Sequence, residues 1–172
     1  GAWSMAPRVA RASTEIPIGV VVGLTGAGAD YGRDALRAFQ LVVDRVNKEG
    51  GIKAHGGAMI KLHVADHQTD LRVTSSETER LITRNNVLGI LGWAASGPAR
   101  VGSEVTERYQ VPAIDTSVDY KLTERGLKYF YRAAVNTRQT CELGVQFVAD
   151  MEKATGKAVK RVAILHEDLA YG

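Results

Sequence analysis

The sequence predicts an α/β protein: an open parallel sheet with helices on both faces. Short runs rich in Val, Ile and Leu alternate with longer segments in which apolar residues recur every three or four positions. Strands that alternate with helices of crossover length build parallel sheets with right-handed connections. The strand runs "IPIGVVVG" and "VLGILG" are also continuously apolar, as strands covered on both sides are, where a half-exposed strand would alternate.

The elements follow in chain order. "IPIGVVVG", from Ile16, is a buried strand. Residues 32–49 place Leu36, Phe39, Val43 and Val46 on one helical face and stop at "KEGG", a cation followed by glycine. "MIKLHVAD" alternates and is a second strand, "TSSETERLITRN" a helix, and "VLGILG" a fully buried strand. "PARVGSEVTERY" is helical, with Pro98 in the first turn, where its missing N–H costs nothing. "VPAID" is the fourth strand, "TSVDYKLTERG" is irregular, and "KYFYRAA" is the fifth strand. A helix over 137–155 sets Cys141, Gly144, Val148 and Met151 on one face with Phe147 beside them, and "KRVAILHED" is a closing strand.

Length and composition fit one ordinary core: 172 residues, 45% hydrophobic and 24% charged, with no low-complexity tract. The net charge of +3 arises from 22 basic and 19 acidic residues that are interspersed, and no basic run interleaves with aromatics, so no nucleic acid is expected as a partner. The uncharged stretch Ile16 to Ala29 is broken by Pro17 and several glycines and is shorter than the roughly 18 apolar residues of a membrane span. The single cysteine, Cys141, excludes an intrachain disulfide and a multi-thiolate metal site, and its helical spacing predicts a small buried side chain. Residues 1–14 lack periodicity and carry Ala10-Arg11-Ala12 without an apolar segment upstream. They are expected to be an export remnant or an appended scar, outside the fold. The chain stops just after the closing strand, in what should be a loop to another helix, so it is expected to be the N-terminal portion of a longer protein.

Open parallel sheets bind ligands outside the carboxyl ends of their strands, which directs attention to the loops there. "GLTGAGADYGRD" has the glycines of a phosphate loop, but Ala29 and Asp30 stand where Lys and Ser or Thr are needed, and Tyr31 blocks the third glycine of a dinucleotide fingerprint. The loop is expected to be a flexible rim of a cleft with Tyr31 as a wall. In "GWAASGPAR", Ser96 is flanked by Ala94 and Pro98, without the glycines of a nucleophile elbow, and only His166 lies downstream. Two compatible readings remain: Ser96 or Gly97 caps the following helix, or the Ser96 hydroxyl and the free N–H groups of that helix start hold an anion such as a carboxylate. "DTSVDY" brings Ser117 to the same edge. The two loops together suit a zwitterion, with hydroxyls and N–H groups for a carboxylate and Asp119 for an ammonium, unless Asp119 is a solvated turn residue. His63 and His67 point the same way on a strand but lie about 13 Å apart at 3.3 Å per residue, too far for one metal ion, so they and Asp66 and Asp70 are read as strand and turn polar residues.

In this order and spacing, "IPIGVVVGLTG…DYG", "VNKEGGI", "ADHQTD", "LGWAASGPA", "LTERGLKYFYRAA" and "VAILHEDLAYG" resemble the periplasmic substrate-binding proteins of ABC transporters. The type I family, which includes the leucine/isoleucine/valine-binding proteins, is the one matched, from about Ile16 to Gly172. The resemblance implies a type I periplasmic-binding-protein-like fold: a two-lobe clamp that closes on a small ligand, an amino acid or another small carboxylate, and delivers it to an ABC transporter permease. It implies lobe 1 over 15–133 and the truncated start of lobe 2 over 134–172, the chain crossing near "YFYRAA". It places the carboxylate-gripping serine on Ser96 with Ala94 and Ala95 beside it, the first-loop aromatic on Tyr31, the tyrosine of the "YG" motif on Tyr171, and the fourth-strand loop on Ser117 and Val118. Amino-acid binders favour threonine where Val118 stands, and the cysteine pair of some members is replaced by Thr69 and Ala95. Trp93 offers a flat wall for an aromatic or larger ligand, or else packs in the core. The expectation is therefore an exported, periplasmic solute-binding protein that is not an enzyme and needs no cofactor or metal. The alternatives are a sensor domain of the same fold and an α/β hydrolase using Ser96.

Overall fold

The structure is a computed structural model, and it describes residues 15–166. Residues 1–14, the end of the expected closing strand and Tyr171 lie outside the described residues. The elements are β1 (Glu15–Val22), α1 (Ala29–Lys48), β2 (Met59–Asp66), α2 (Leu71–Asn85), β3 (Ile90–Trp93), α3 (Ser96–Tyr109), β4 (Ala113–Asp115), β5 (Phe130–Arg132) and α4 (Thr137–Thr155). Short 3-10 turns cover Lys53–His55 and Tyr120–Thr123.

The strands form one five-stranded sheet in the order β2-β1-β3-β4-β5, every pair parallel. The step from β1 to β2 runs one way along the sheet and the steps to β3 and β4 run the other way. Right-handed crossovers therefore send α1 to one face and α2 and α3 to the opposite face. α1 packs on β1 and β2, while α2 and α3 pack on each other. At the centre, Val20, Val21 and Val22 are fully buried, as their unbroken apolar run predicts. The core gathers Val21, Ala65, Leu81, Val87, Ile90, Trp93, Ala99, Val105, Ala113, Leu122 and Phe130.

Helix starts fall earlier than periodicity alone indicates, because side-chain caps and small residues set them. α2 begins at Leu71 because the Asp70 carboxylate accepts hydrogen bonds from the N–H groups of Arg72 and Val73, an N-cap arrangement. α1 enters against the sheet at Gly32, where a Cβ would stand 1.8 Å from the Gly23 carbonyl oxygen. Only a residue without a Cβ allows that approach. α4 spans the expected residues and opens with a capping box, Asn136 and Gln139 exchanging side-chain and backbone hydrogen bonds.

Three expectations are corrected. The closing strand does not form over the described residues 156–166: Val162, Ile164 and Leu165 are exposed and the segment pairs with no strand. A strand exists only where a neighbour takes its N–H and C=O groups, and here none lies beside it. α4 buries none of its residues, so its expected inward face, Phe147, Val148 and Met151, lies open. Cys141, on that helix, is accordingly exposed rather than buried.

Candidate functional site

All strands run the same way, so their carboxyl ends, Val22, Asp66, Trp93, Asp115 and Arg132, meet at one edge of the sheet. The connection from β1 runs to β2 on one side and the connection from β2 returns past β1 to β3 on the other, and that switch point is where an open sheet forms a crevice. Ser96, Ala95, Ala94, Ser117, Val118 and Tyr31 all lie on loops or helix starts at this edge.

The β3–α3 corner is built first. Ala94 adopts a left-handed backbone with φ of 60°, a conformation costing an alanine about 1 kcal/mol. Its N–H, and that of Trp93, donate to the Asp115 carboxylate, the Ala94 bond measuring 3.0 Å. The Trp93 carbonyl is held too, 3.0 Å from His67 Nε2. His67 Nδ1 accepts the Thr69 N–H, so the ring proton sits on Nε2 and is donated to Trp93. Beyond this corner Ala95 is the extended N-cap of α3 and offers no side-chain cap. Ser96 thus stands one residue inside the helix, correcting its expected place, or that of Gly97, as the cap. An uncapped start leaves the first N–H groups of a helix directed at whatever lies beyond it.

The β4 loop is joined to this corner. The Asp115 carboxylate also accepts the Ser117 N–H at 2.9 Å, and the Asp119 N–H donates to Ser96 Oγ at 3.3 Å. Asp115, almost wholly buried, therefore ties both loops together. Burial pushes its carboxyl above the usual range, against the pull of the Ser117, Ala94 and Trp93 donors. Ser117 Oγ is buried beside the Asp115 carboxylate, close enough to help hold it ionised but short of full hydrogen-bond geometry. Val118 is partly exposed, and its carbonyl accepts the N–H of Thr137 at the start of α4. Asp119 is 6% exposed and caps the next turn through Lys121, so it is a buried turn residue rather than a solvated one.

The first loop is pinned rather than flexible. Asp66 accepts from the N–H groups of Leu24 and Gln68 and from the Thr25 hydroxyl at 2.6 Å. Thr69 Oγ1 accepts the Gly28 N–H. Burial raises the Asp66 carboxyl, and the Thr25 hydroxyl with the N–H groups of Gln68, Leu24 and Thr25 more than offsets this, leaving it below its usual range. Tyr31, in the first turn of α1, is 80% exposed at the rim.

Trp93 does not present a wall. Its side chain is fully buried, its indole N–H donates to Thr78 Oγ1 at 3.2 Å, and its ring stacks on Phe130 with centroids 6.5 Å apart. Gly102 makes the room, since a Cβ there would lie 2.2 Å from the indole. Sequence reasoning did not single out Asp115, whose signal is a carboxylate ending a buried strand just before Thr116 and Ser117. Among the described residues no cluster of His, Cys, Asp and Glu is arranged to hold a metal ion. No helix among them is long and apolar enough to cross a membrane.

Known proteins share this architecture. The chain is 29% identical over 167 residues to the Leu/Ile/Val-binding protein homolog 7 of Brucella suis, a match covering 95% of this chain and 41% of that protein. It is 28% identical over 162 residues to an amino acid binding protein of Pseudomonas aeruginosa, covering 94% of this chain and 41% of the relative. The chain thus spans about two fifths of the length of the curated relatives it matches. Its fold is similar to that of the branched-chain amino acid transporter substrate-binding protein LivJ from Streptococcus pneumoniae, solved in complex with isoleucine. That likeness has a TM-score of 0.67 and 28% identity, covering 71% of this chain and 34% of the other. These relatives are binding proteins, not enzymes. The family model described as "periplasmic binding protein" matches residues 15–172, and the chain belongs to the periplasmic binding protein family.

Proposed function

We propose that this chain forms the first part of an extracytoplasmic solute-binding protein that captures an amino acid by its carboxylate and passes it to an ABC transporter permease. In this reading residues 15–133 are lobe 1 and residues from 134 begin lobe 2. Ligand bound at the edge of lobe 1 favours the closed clamp by bridging to the second lobe. The observation that carries the proposal is the pairing of two groups at one edge. The uncapped start of α3 bears Ser96, and the loop that Asp115 ties to it bears Ser117, whose hydroxyl is buried next to that carboxylate. Together they offer N–H and O–H donors to an anion, and the imidazole at this corner, His67, is committed to Trp93 and Thr69 rather than to activating Ser96. The relatives support an amino acid as the ligand: LivJ was solved with isoleucine, and the Brucella protein is named for Leu, Ile and Val. Val118 supplies no hydroxyl where amino-acid binders favour threonine, so Ser96 and Ser117 carry the polar contacts of this lobe.

The experiment is a thermal-shift series on the full-length protein with L-leucine, L-isoleucine, L-valine and 4-hydroxybenzoate. A ligand that binds only the folded state raises the melting temperature. A rise with the aliphatic amino acids is expected, and a rise confined to the aromatic acid would retire the amino-acid reading. Ser96→Ala should weaken amino-acid binding by about 1 to 3 kcal/mol, the worth of a hydrogen bond to a charged group. Unchanged affinity in calorimetry would remove Ser96 from the site.

A further inference from the structure

Arg132 is the last residue of β5 and stands in register with Asp115 on β4. Its Nη2 donates to the Asp119 carbonyl at 2.8 Å, to the Tyr120 carbonyl at 3.3 Å and to Thr123 Oγ1 at 3.1 Å. Its Nε is buried without a protein partner, so the guanidinium is enclosed at its base while its tip spans the turn over 119–123. That turn begins with Asp119, whose N–H is the donor to Ser96 Oγ. Two other cations meet this turn: Lys121, 5.8 Å from the Tyr120 ring, and Arg138, which lies 4.2 Å from that ring and 2.9 Å from Glu124. The Arg138 and Glu124 side chains are about half exposed, and ion pairs in that setting contribute little. Charge-assisted hydrogen bonds from a partly enclosed arginine to carbonyl groups are stronger, and a planar guanidinium loses less freedom in making them.

From this arrangement we propose that Arg132 is a positioning residue for ligand capture, fixing the 119–123 turn so that the Asp119 N–H orients the Ser96 hydroxyl and the Ser117 loop stays formed. The inference rests on the carboxylate site proposed above. Arg132 acts through the turn and need not touch ligand.

The test uses the full-length protein carrying Arg132→Gln or Arg132→Lys, with amide hydrogen exchange in the absence of ligand and calorimetry with L-leucine. For Arg132→Gln, exchange at the Asp119 and Leu122 amides is expected to quicken about tenfold, and the dissociation constant for L-leucine to rise about tenfold. The amides of Val20, Val21 and Val22 should not change. Arg132→Lys, whose ammonium reaches fewer of the three acceptors, should restore part of both. Val105→Ala, a core change on α3 that removes none of the turn's hydrogen bonds, serves as the stability control. Unchanged exchange in the turn overturns the proposal. So does a loosened turn with L-leucine affinity within twofold of the parent, or an equal loss of affinity in Val105→Ala. Should Arg132→Gln fail to fold, Arg132→Lys decides by the same two readouts. Should the parent protein bind none of L-leucine, L-isoleucine and L-valine, the amino-acid reading falls by itself, while unchanged exchange in the turn of Arg132→Gln overturns the role of Arg132 whatever the parent binds.

Discussion

Asp66 and Asp115 end two strands at the same edge of the sheet, and their surroundings push them in opposite directions. Asp115 is buried and its carboxyl is raised; the native state then holds the proton more tightly than the unfolded chain. Its share of stability is complete below the ordinary carboxylate value near 4 and declines as pH rises through the folded value. Asp66 is lowered, so its share is complete above that ordinary value and is lost as pH falls through the folded one. Asp115→Asn should therefore cost most in acid, with the gap to the parent narrowing as pH rises above about 4. Asp66→Asn should show the reverse, with its gap closing in acid. Denaturant unfolding between acid and neutral pH checks both, and a pH-independent gap for Asp115→Asn would refute its raised carboxyl. A baseline loss of about 1 to 3 kcal/mol is expected for Asp115→Asn at every pH, because an amide cannot accept from Trp93, Ala94 and Ser117 together.

At the scale of elements, the start of α3 trades stability for a vacant set of donors. Asp at an N-cap position favours a helix by about 0.5 to 2 kcal/mol over Ala. Ala95→Asp should thus raise the unfolding free energy while abolishing carboxylate binding, since the new charge occupies the helix start. Chemical denaturation and calorimetry together read the two effects, and a variant that gains stability yet binds as before would place the ligand elsewhere. Such elements were largely legible in the sequence. β1 and β2 follow from continuous and alternating apolar runs, and α4 from the helical spacing of Cys141, Gly144, Val148 and Met151, its Asn136–Gln139 capping box and Gly156 end being found in the structure. Ser96 and Ser117 were legible as loop residues after strands. The links between them were not, because nothing in the spelling of Asp115 distinguishes a buried strap from any turn carboxylate. Trp93 was ambiguous for a related reason: its direction depends on Gly102, which stands on another element and vacates the space its indole fills. Lys160 to His166 spells a strand as clearly as β1 does, but strand pairing is a property of two segments and only one is at hand.

At the scale of the whole region, the sheet is covered unevenly. α1 covers β1 and β2 on its face, while Leu91, Ile114 and Tyr131 lie side by side in register across β3, β4 and β5. Of these, Ile114 and Tyr131 are 47% and 55% exposed. α4 adds Leu143, Val145 and Phe147. Apolar surface of this extent marks a region that packs against something, in keeping with relatives more than twice as long. Residues 15–166 expressed alone should bind a hydrophobic dye strongly and self-associate in sedimentation, and the full-length protein should do neither. Equal dye binding by both would mean that these faces remain open in the complete protein. Trp93 has a consequence of another kind. Of the two tryptophans, Trp3 and Trp93, Trp93 is sealed from water, while its main chain is gripped by Asp115 and His67 at the corner next to Ser96. An indole in dry surroundings emits at shorter wavelength than one in water, and its brightness answers to small shifts of the groups around it. The protein thus carries its own lamp at the base of the sheet's carboxyl edge, lit by ultraviolet light and needing no attached dye to test whether, as proposed, a ligand fills that edge.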